Sequence, residues 1–184
     1  SRLLTIDRNA GSLQHRIFHN LPELLSPGDL LVVNDSRVIP ARLMAQRQGT
    51  GGKIELLLLE EKEESVWLAM VRPGRKVHVG DVPVISPREL EAEVLAFGAQ
   101  GERIVRFRGA LPFREAIDRY GHTPLPPYIL KARRDDSAGE AGIEEAGDRE
   151  RYQTVYATAG ASVAAPTAGL HFTPELLQHC EARG

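Results

Sequence analysis

Short runs of alternating apolar and polar residues dominate the middle of the chain. They cover residues 38–45, 53–60, 66–71, 76–79, 82–85, 91–97 and 103–108. Glycine- and proline-bearing turns separate them at 48–52, 72–75, 80–81 and 98–101. Many short strands at regular spacing predict a closed antiparallel β-barrel. Pro40 cannot donate to a ladder, so it belongs at an edge, a bulge or a strand end. In the last run Val105 and Phe107 share one face, while Ile104, Arg106 and Arg108 share the other. With Arg72, Arg75 and Lys76, Arg106 and Arg108 form a candidate RNA-binding surface. A solvated strand face is the plainer explanation of the same charges.

The flanks are patterned differently. Residues 2–6 and 13–18 predict a hairpin around a turn at 9–11, and 21–25 predict one helical turn. His15 and His19 lie in this strand pattern with no third ligand nearby, so they read as surface histidines. Leu30-Leu31-Val32-Val33 is a continuous apolar run and predicts a strand buried on both faces. It ends in Asn34-Asp35-Ser36-Arg37. Polar tips of buried strands are where α/β folds place ligands, and an Asx-type turn explains the same residues. Both explanations stay open.

Residues 112–120 predict a short amphipathic helix with proline at its start and Gly121 past its end. Proline-rich 122–128 predicts a rigid extended strap. Residues 131–147 are charged, small and poor in bulky apolar side chains, which predicts a mobile loop. Order returns at 148–156. From Ala164 a small-residue loop runs into a helix with Thr173 as cap, Pro174 in the first turn and Glu175 complementing the helix dipole. Little side-chain bulk at Thr167, Ala168 and Gly169 would let a ligand approach backbone N–H groups, with His171 between loop and helix. An ordinary connector before a capped helix is the competing explanation.

The chain has 184 residues, enough for one large domain or two small ones. A net charge of −2 advertises no global nucleic-acid affinity, so any RNA binding needs a local basic face. The single cysteine, Cys180, excludes an internal disulfide and suits a cytoplasmic location. No apolar run approaches membrane-spanning length. The chain opens on Ser1 directly in a strand pattern, which points to a fragment of a longer product. No metal-ligand cluster, phosphate loop, nucleophile elbow or glycine-rich dinucleotide fingerprint occurs.

Seven phrases together carry a family resemblance. They are Ser1-Arg-Leu-Leu, His15-Arg-Ile-Phe-His, Pro27-Gly-Asp-Leu-Leu-Val-Val-Asn-Asp-Ser-Arg-Val-Ile-Pro-Ala-Arg-Leu, Val71-Arg-Pro-Gly, Gly121-His-Thr-Pro-Leu-Pro-Pro-Tyr-Ile, Asp148-Arg-Glu-Arg-Tyr-Gln-Thr-Val-Tyr-Ala and Ala165-Pro-Thr-Ala-Gly-Leu-His-Phe-Thr. In order and spacing the chain resembles the S-adenosylmethionine:tRNA ribosyltransferase-isomerases of queuosine biosynthesis (the QueA family).

The resemblance implies an α/β fold joined to an all-β one: an α/β barrel-like catalytic domain, incomplete here, interrupted by an inserted antiparallel closed β-barrel. The catalytic part would be residues 1–36 and 122–184, and the inserted barrel 37–121. It implies S-adenosylmethionine as cosubstrate, no metal, and tRNA carrying 7-aminomethyl-7-deazaguanine at the wobble position as partner. The ribosyl group would move to that base and rearrange to epoxyqueuosine, releasing adenine and methionine. Family members continue beyond the equivalent of Gly184. An RNA-binding barrel without chemistry of its own is the alternative.

That reaction needs a base beside the sulfonium-activated ribose carbon, a donor for the departing adenine, and donors for the methionine carboxylate. His171 is the leading acid/base candidate because imidazole titrates near neutrality. Asp35 is the second catalytic candidate. Arg37 would position the ribose or methionine, and Thr167, Ala168 and Gly169 would cradle part of the cosubstrate. Arg42, Tyr152, Gln153 and Tyr156 would line the pocket or touch the tRNA base.

Overall fold

The computed structural model describes residues 1–136 and 147–184. In chain order the elements begin with the hairpin β1 (Arg2–Asp7) and β2 (Ser12–Ile17), the helical turn α1 (Leu21–Leu24) and β3 (Ser36–Val38). There follow β4 (Arg42–Gln46), β5 (Lys53–Glu63), β6 (Val66–Arg72), β7 (Val84–Ser86), β8 (Leu90–Phe97) and β9 (Glu102–Arg108). The remainder is α2 (Phe113–Tyr120), β10 (Gly121–His122), α3 (Pro127–Asp136), α4 (Asp148–Arg151), β11 (Ala159–Ser162) and α5 (Pro174–Glu181). The chain divides into two compact units. One holds Ser1–Arg37, Gln153–Gly160 and Ala165–Gly184, and the other holds Val38–Tyr152 and Ala161–Ala164. Residues 122–136 and 147–152, which the resemblance groups with the flanks, fall in the unit that holds the barrel.

The second unit is a closed antiparallel barrel. Strands run in the order β4-β5-β6-β9-β8-β7, and β7 returns to β4, so six strands close the ring. Alternation decides which side chains fill it. On β5, Ile54, Leu56 and Leu58 point inward and are buried, while Glu55 and Leu57 face out half-buried. On β9 the inward set is Arg103, Val105 and Phe107, and Ile104 and Arg106 face out. β5 is long enough to overrun its partner, and register shifts at Leu58/Glu60 and Glu61/Glu63 absorb the excess. Pro40 falls in the break between β3 and β4.

Helix α2 closes one end of the barrel. Its apolar stripe buries Phe113, Ala116 and Ile117. Phe113 lies 4.7 Å from Phe107 and 5.7 Å from Trp67, ring centre to ring centre. The helix ends at Gly121, and β10 then pairs with β4. A Cβ at Gly121 would run into the carbonyls of Pro40 and Ile117, so glycine is what permits this approach. Arg149 Nη1 and Nη2 donate to the carbonyls of Asp118 and Gly121 at 2.8 and 2.6 Å, satisfying acceptors at the end of α2.

In the first unit β1 and β2 form the expected hairpin. Thr173 Oγ1 accepts from the Leu176 amide at 3.2 Å, so the expected cap on α5 forms. The Glu175 carboxyl is held below its ordinary range, first by its own backbone N–H and then by Thr173. Among the described residues the strands of this unit do not close into a barrel.

Three expectations need correction. Residues 30–33 form no strand, and Leu30 and Val32 are 87% and 82% exposed. An apolar run becomes a strand only where another strand supplies its ladder, and none does so among the described residues. Residues 76–79 are not a strand either. A 3-10 turn at Gly74–Lys76 precedes them, and only Val77 turns into the core. The expected mobile loop begins too early, because 131–136 continue α3 and 137–146 lie outside the described residues. Within α3 Arg133 makes a two-pronged bond to Asp148, at 2.7 and 2.6 Å, with Asp148 almost fully buried.

Phe113→Ala should cost the barrel unit about 3–5 kcal/mol by emptying the space between Trp67 and Phe107. Urea unfolding followed by the emission of Trp67, the only tryptophan, measures it.

Candidate functional site

In the first unit His171 ends a 3-10 turn spanning Gly169–His171. Its Nδ1 lies 2.9 Å from Ser1 Oγ, and its ring is 5.3 Å from that of Phe18. Phe18 also meets Phe172 edge-on at 5.1 Å. The imidazole is thus oriented through Nδ1 and one ring face, while it stays exposed. Asp35 is exposed as well. Its Oδ2 accepts from Thr158 Oγ1 at 3.0 Å, and its carbonyl accepts from the Thr158 amide at 3.0 Å. Tyr156, two residues earlier, sits 6.2 Å from Phe172 and presses its hydroxyl against Gly169. The segment 154–158 therefore touches both Asp35 and the His171 loop. Burial pushes the Tyr156 phenol up, so it is a hydrogen-bond donor near neutrality.

The backbone cradle is only partly available. The amides of Gly169, Leu170, His171 and Phe172 donate to the carbonyls of Pro166, Thr167, Ala168 and Gly169. Tight 3-10 turns consume their own donors in this way. The amides of Thr167 and Ala168 have no hydrogen bond among the described residues. Gly169 itself is explained by packing: a Cβ there would collide with the Tyr156 hydroxyl and lie 2.8 Å from Thr154 Cγ2.

The remaining candidates scatter. Arg37 is exposed. Gln153 belongs to the first unit, whereas Tyr152 is a buried side chain of the second. Arg42 lies on the outer face of the barrel with a guanidinium nine-tenths buried beside Glu55. The proposed basic surface splits in two. Arg108 and Arg106 pair with Glu93 across the β8–β9 ladder, at 2.6 and 3.8 Å, which neutralises much of their charge. Arg72, Arg75 and Lys76 are exposed around the Gly74–Lys76 turn and make no ion pair among the described residues.

Sequence reading passed over Arg103. Its guanidinium donates to the carbonyls of Gly74, Val77, Gly101 and Glu102 at 2.8–3.3 Å and stacks 4.3 Å over Phe97. It thereby ties the Arg72–Lys76 corner to the β8–β9 turn. Its inward position in the β9 alternation, beside Val105 and Phe107, was the available signal. Burial pushes the Cys180 thiol up, away from the thiolate. Among the described residues no group of three His, Cys, Asp or Glu is placed to hold a metal. No described helix is long and apolar enough to cross a membrane.

The sequence profile of the family described as "Queuosine biosynthesis protein" matches residues 1–184. This chain belongs to that family. Proteins named S-adenosylmethionine:tRNA ribosyltransferase-isomerase from Desulfitobacterium hafniense and Clostridioides difficile are each 45% identical to it over 184 residues. The Solibacter usitatus protein of the same name is 46% identical over 202 residues. In each case all of this chain is covered, but only 50–54% of the relative. The chain thus spans about half the length of the relatives it matches. A crystal structure of S-adenosylmethionine tRNA ribosyltransferase from Thermotoga maritima is 36% identical, over all of this chain and 47% of that one. Its TM-score of 0.35 is too low to carry a statement about the fold.

Gly169→Ala should disrupt the loop that carries His171, lowering the thermal midpoint of the first unit and broadening the His171 resonances. Adding Tyr156→Phe removes the colliding hydroxyl and should recover part of the loss. A silent Gly169→Ala would show that the loop is loose enough to yield.

Proposed function

We propose that this chain carries part of the machinery of an S-adenosylmethionine:tRNA ribosyltransferase-isomerase. The observation behind this is a match over all 184 residues, at 45–46% identity, to proteins that bear that name. In this reading the ribosyl group of S-adenosylmethionine passes to 7-aminomethyl-7-deazaguanine at the wobble position of a tRNA. It rearranges to the epoxycyclopentanediol of epoxyqueuosine, and adenine and methionine depart.

The first unit supplies the acid/base groups. His171, with Nδ1 engaged by Ser1, keeps Nε2 for proton transfer to or from the reacting ribose or the departing adenine. Asp35, braced by Thr158, accepts hydrogen bonds from ribose hydroxyls or offsets the positive charge that grows as adenine leaves. Thr167 and Ala168 keep amides for a carboxylate or oxygen of the cosubstrate, and Arg37 offers a guanidinium for the same purpose. Arg72, Arg75 and Lys76 contact tRNA phosphates. Arg106 and Arg108 contribute less, being paired with Glu93.

A second reading is favoured by one observation. The barrel closes completely within a chain half as long as its relatives. Such a barrel could dock RNA while the chemistry lies elsewhere.

Two measurements separate these readings. In an active protein carrying this sequence, His171→Ala and Asp35→Ala should each lower adenine release from S-adenosylmethionine by about a hundredfold. Near-normal turnover in both would remove them from the chemistry. Reversing Arg75 and Lys76 to Glu should weaken tRNA binding at moderate salt and flatten its salt dependence, whereas reversing Arg106 and Arg108 should do less. Equal losses from both pairs would reject the split of the basic surface.

A further inference from the structure

Strand β6 ends at Arg72, and from Pro73 to Pro83 the chain runs outside the strands. On the β9 side ladder support stops even earlier, with Glu102 opposite Met70. Two local bonds shape the turn that follows. The Lys76 amide donates to the Pro73 carbonyl at 3.1 Å and the Val77 amide to the Gly74 carbonyl at 3.3 Å. Bonds of this short-turn kind have poor geometry and hold a segment weakly. Yet this corner carries Arg72, Arg75 and Lys76, all exposed, and like charges so close in sequence repel one another.

Support for the corner comes from Arg103 on β9, a side chain only 6% exposed. Nη2 donates to the Gly74 carbonyl at 2.8 Å and to the Val77 carbonyl at 3.2 Å, and Nε reaches Val77 at 3.3 Å. Nη1 donates to the carbonyls of Gly101 and Glu102 at 3.0 and 2.8 Å. One edge of the guanidinium thus holds the corner, and the other holds the β8–β9 turn. Its planar fork fixes the angle between the two sets of bonds. Phe97 covers the group with its ring, 4.3 Å away.

The barrel's ladders do not need this fork. The Arg103 backbone is already paired on both sides, opposite Ala69 on β6 and Phe97 on β8. What the side chain adds is a grip on Gly74 and Val77, the residues that flank Arg75 and Lys76 directly. A bare brace could use a carboxylate, but every polar partner of Arg103 among the described residues is a neutral carbonyl. The corner is therefore fastened without the addition of negative charge, which would oppose an anion there. Cations on an already ordered backbone lose less freedom when they bind phosphate.

We propose that Arg103 is a positioning residue for RNA binding: by gripping Gly74 and Val77 it holds Arg75 and Lys76 in a fixed relation to the barrel, ready for RNA phosphates. Arg103 itself touches no phosphate. The inference rests on the proposed function in taking Arg72, Arg75 and Lys76 as RNA contacts.

Titrating the 184-residue chain with a tRNA transcript reads the effect, and Trp67 emission checks the fold of each variant. Arg103→Met should weaken binding about tenfold and lower the slope of log affinity against log salt by about one, although no phosphate contact is removed directly. Arg103→Lys keeps the charge, but a single ammonium cannot span both turns, so its affinity should fall nearly as far. With Arg75 and Lys76 both changed to Ala, adding Arg103→Lys should alter affinity by less than roughly twofold, because nothing is left to position. In the unaltered protein, NMR relaxation should find the Arg75 and Lys76 amides as ordered as those of β6 before RNA is added, and Arg103→Lys should loosen them while Leu56 and Val94 keep their order. Unaltered affinity in Arg103→Lys, a full further loss on the Ala background, or a corner already loose in the unaltered protein would each overturn the proposal. Should changing Arg75 and Lys76 leave tRNA binding untouched, the RNA reading of this corner falls and the inference with it. Should that change weaken binding while the Arg103 variants bind normally, the inference alone falls.

Discussion

The barrel depends on a seam that its backbone barely closes. β4 and β7 share one register pair, Gln46 with Val84, whereas the neighbouring β4–β5 seam has five. The stretch before β7 is anchored along β8, and only an ion pair carries it across toward β4. The amides of Gly80 and Val94 exchange bonds with the carbonyls of Val94 and Asp81, and the Ala92 amide donates to the Pro83 carbonyl. The Asp81 carboxylate accepts from the His78 amide at 2.9 Å and lies 3.5 Å from Arg47 Nη2, just beyond β4. That arginine atom is buried without a hydrogen bond of good geometry, so the ion pair is what compensates it. An open seam would leave two strand edges with unmet amides and carbonyls, and closure removes both. Within the closed ring β4, β5 and β6 keep a continuous antiparallel register.

What could be read in the sequence follows from this. Alternation is a local signal, so β5, β6, β8 and β9 were legible to within a few residues. Caps and breakers are local too, which is why α2 between Pro112 and Gly121 and the Thr173 cap on α5 could be anticipated. Residues 30–33 carry as strong an apolar signal as any barrel strand. Yet a strand is a relation between two segments, and one segment's composition cannot supply the other. Residues 131–136 show the opposite failure. Their low apolar content suggested a loop, and a bond between Arg133 and a buried aspartate fifteen residues away accompanies the helix there.

The functional residues were harder to read, because a buried arginine looks the same in sequence whatever satisfies it. Arg103 is sated by four main-chain carbonyls and an aromatic face, so it is structural. Arg133 faces a carboxylate that offers both oxygens. Arg42 is buried nearly as deeply, with Nε 3.4 Å from Glu55 Oε1 and one Nη donating to the Leu125 carbonyl at 3.4 Å. Desolvating a cation is expensive, and only a complete partner set offsets it.

The same test applied to the first unit moves weight from backbone to side chains. The small residues at 167–169 suggested amides kept free for a ligand. In the structure the turn uses four successive amides internally, and glycine at 169 makes room for Tyr156. Recognition that relied on a nest of N–H groups would have only Thr167 and Ala168 left. Any recognition by this unit would then draw on its charged and protonatable side chains more than on backbone amides. His171 and Asp35 are exposed side chains of this unit that neighbouring segments hold in place, and Arg37 is exposed beside Asp35 in sequence. Their orientation is set by neutral partners, a serine hydroxyl for the imidazole and a threonine hydroxyl for the carboxylate. Neutral partners orient a side chain without placing an opposite charge beside it, so both groups keep their capacity to exchange protons or accept hydrogen bonds.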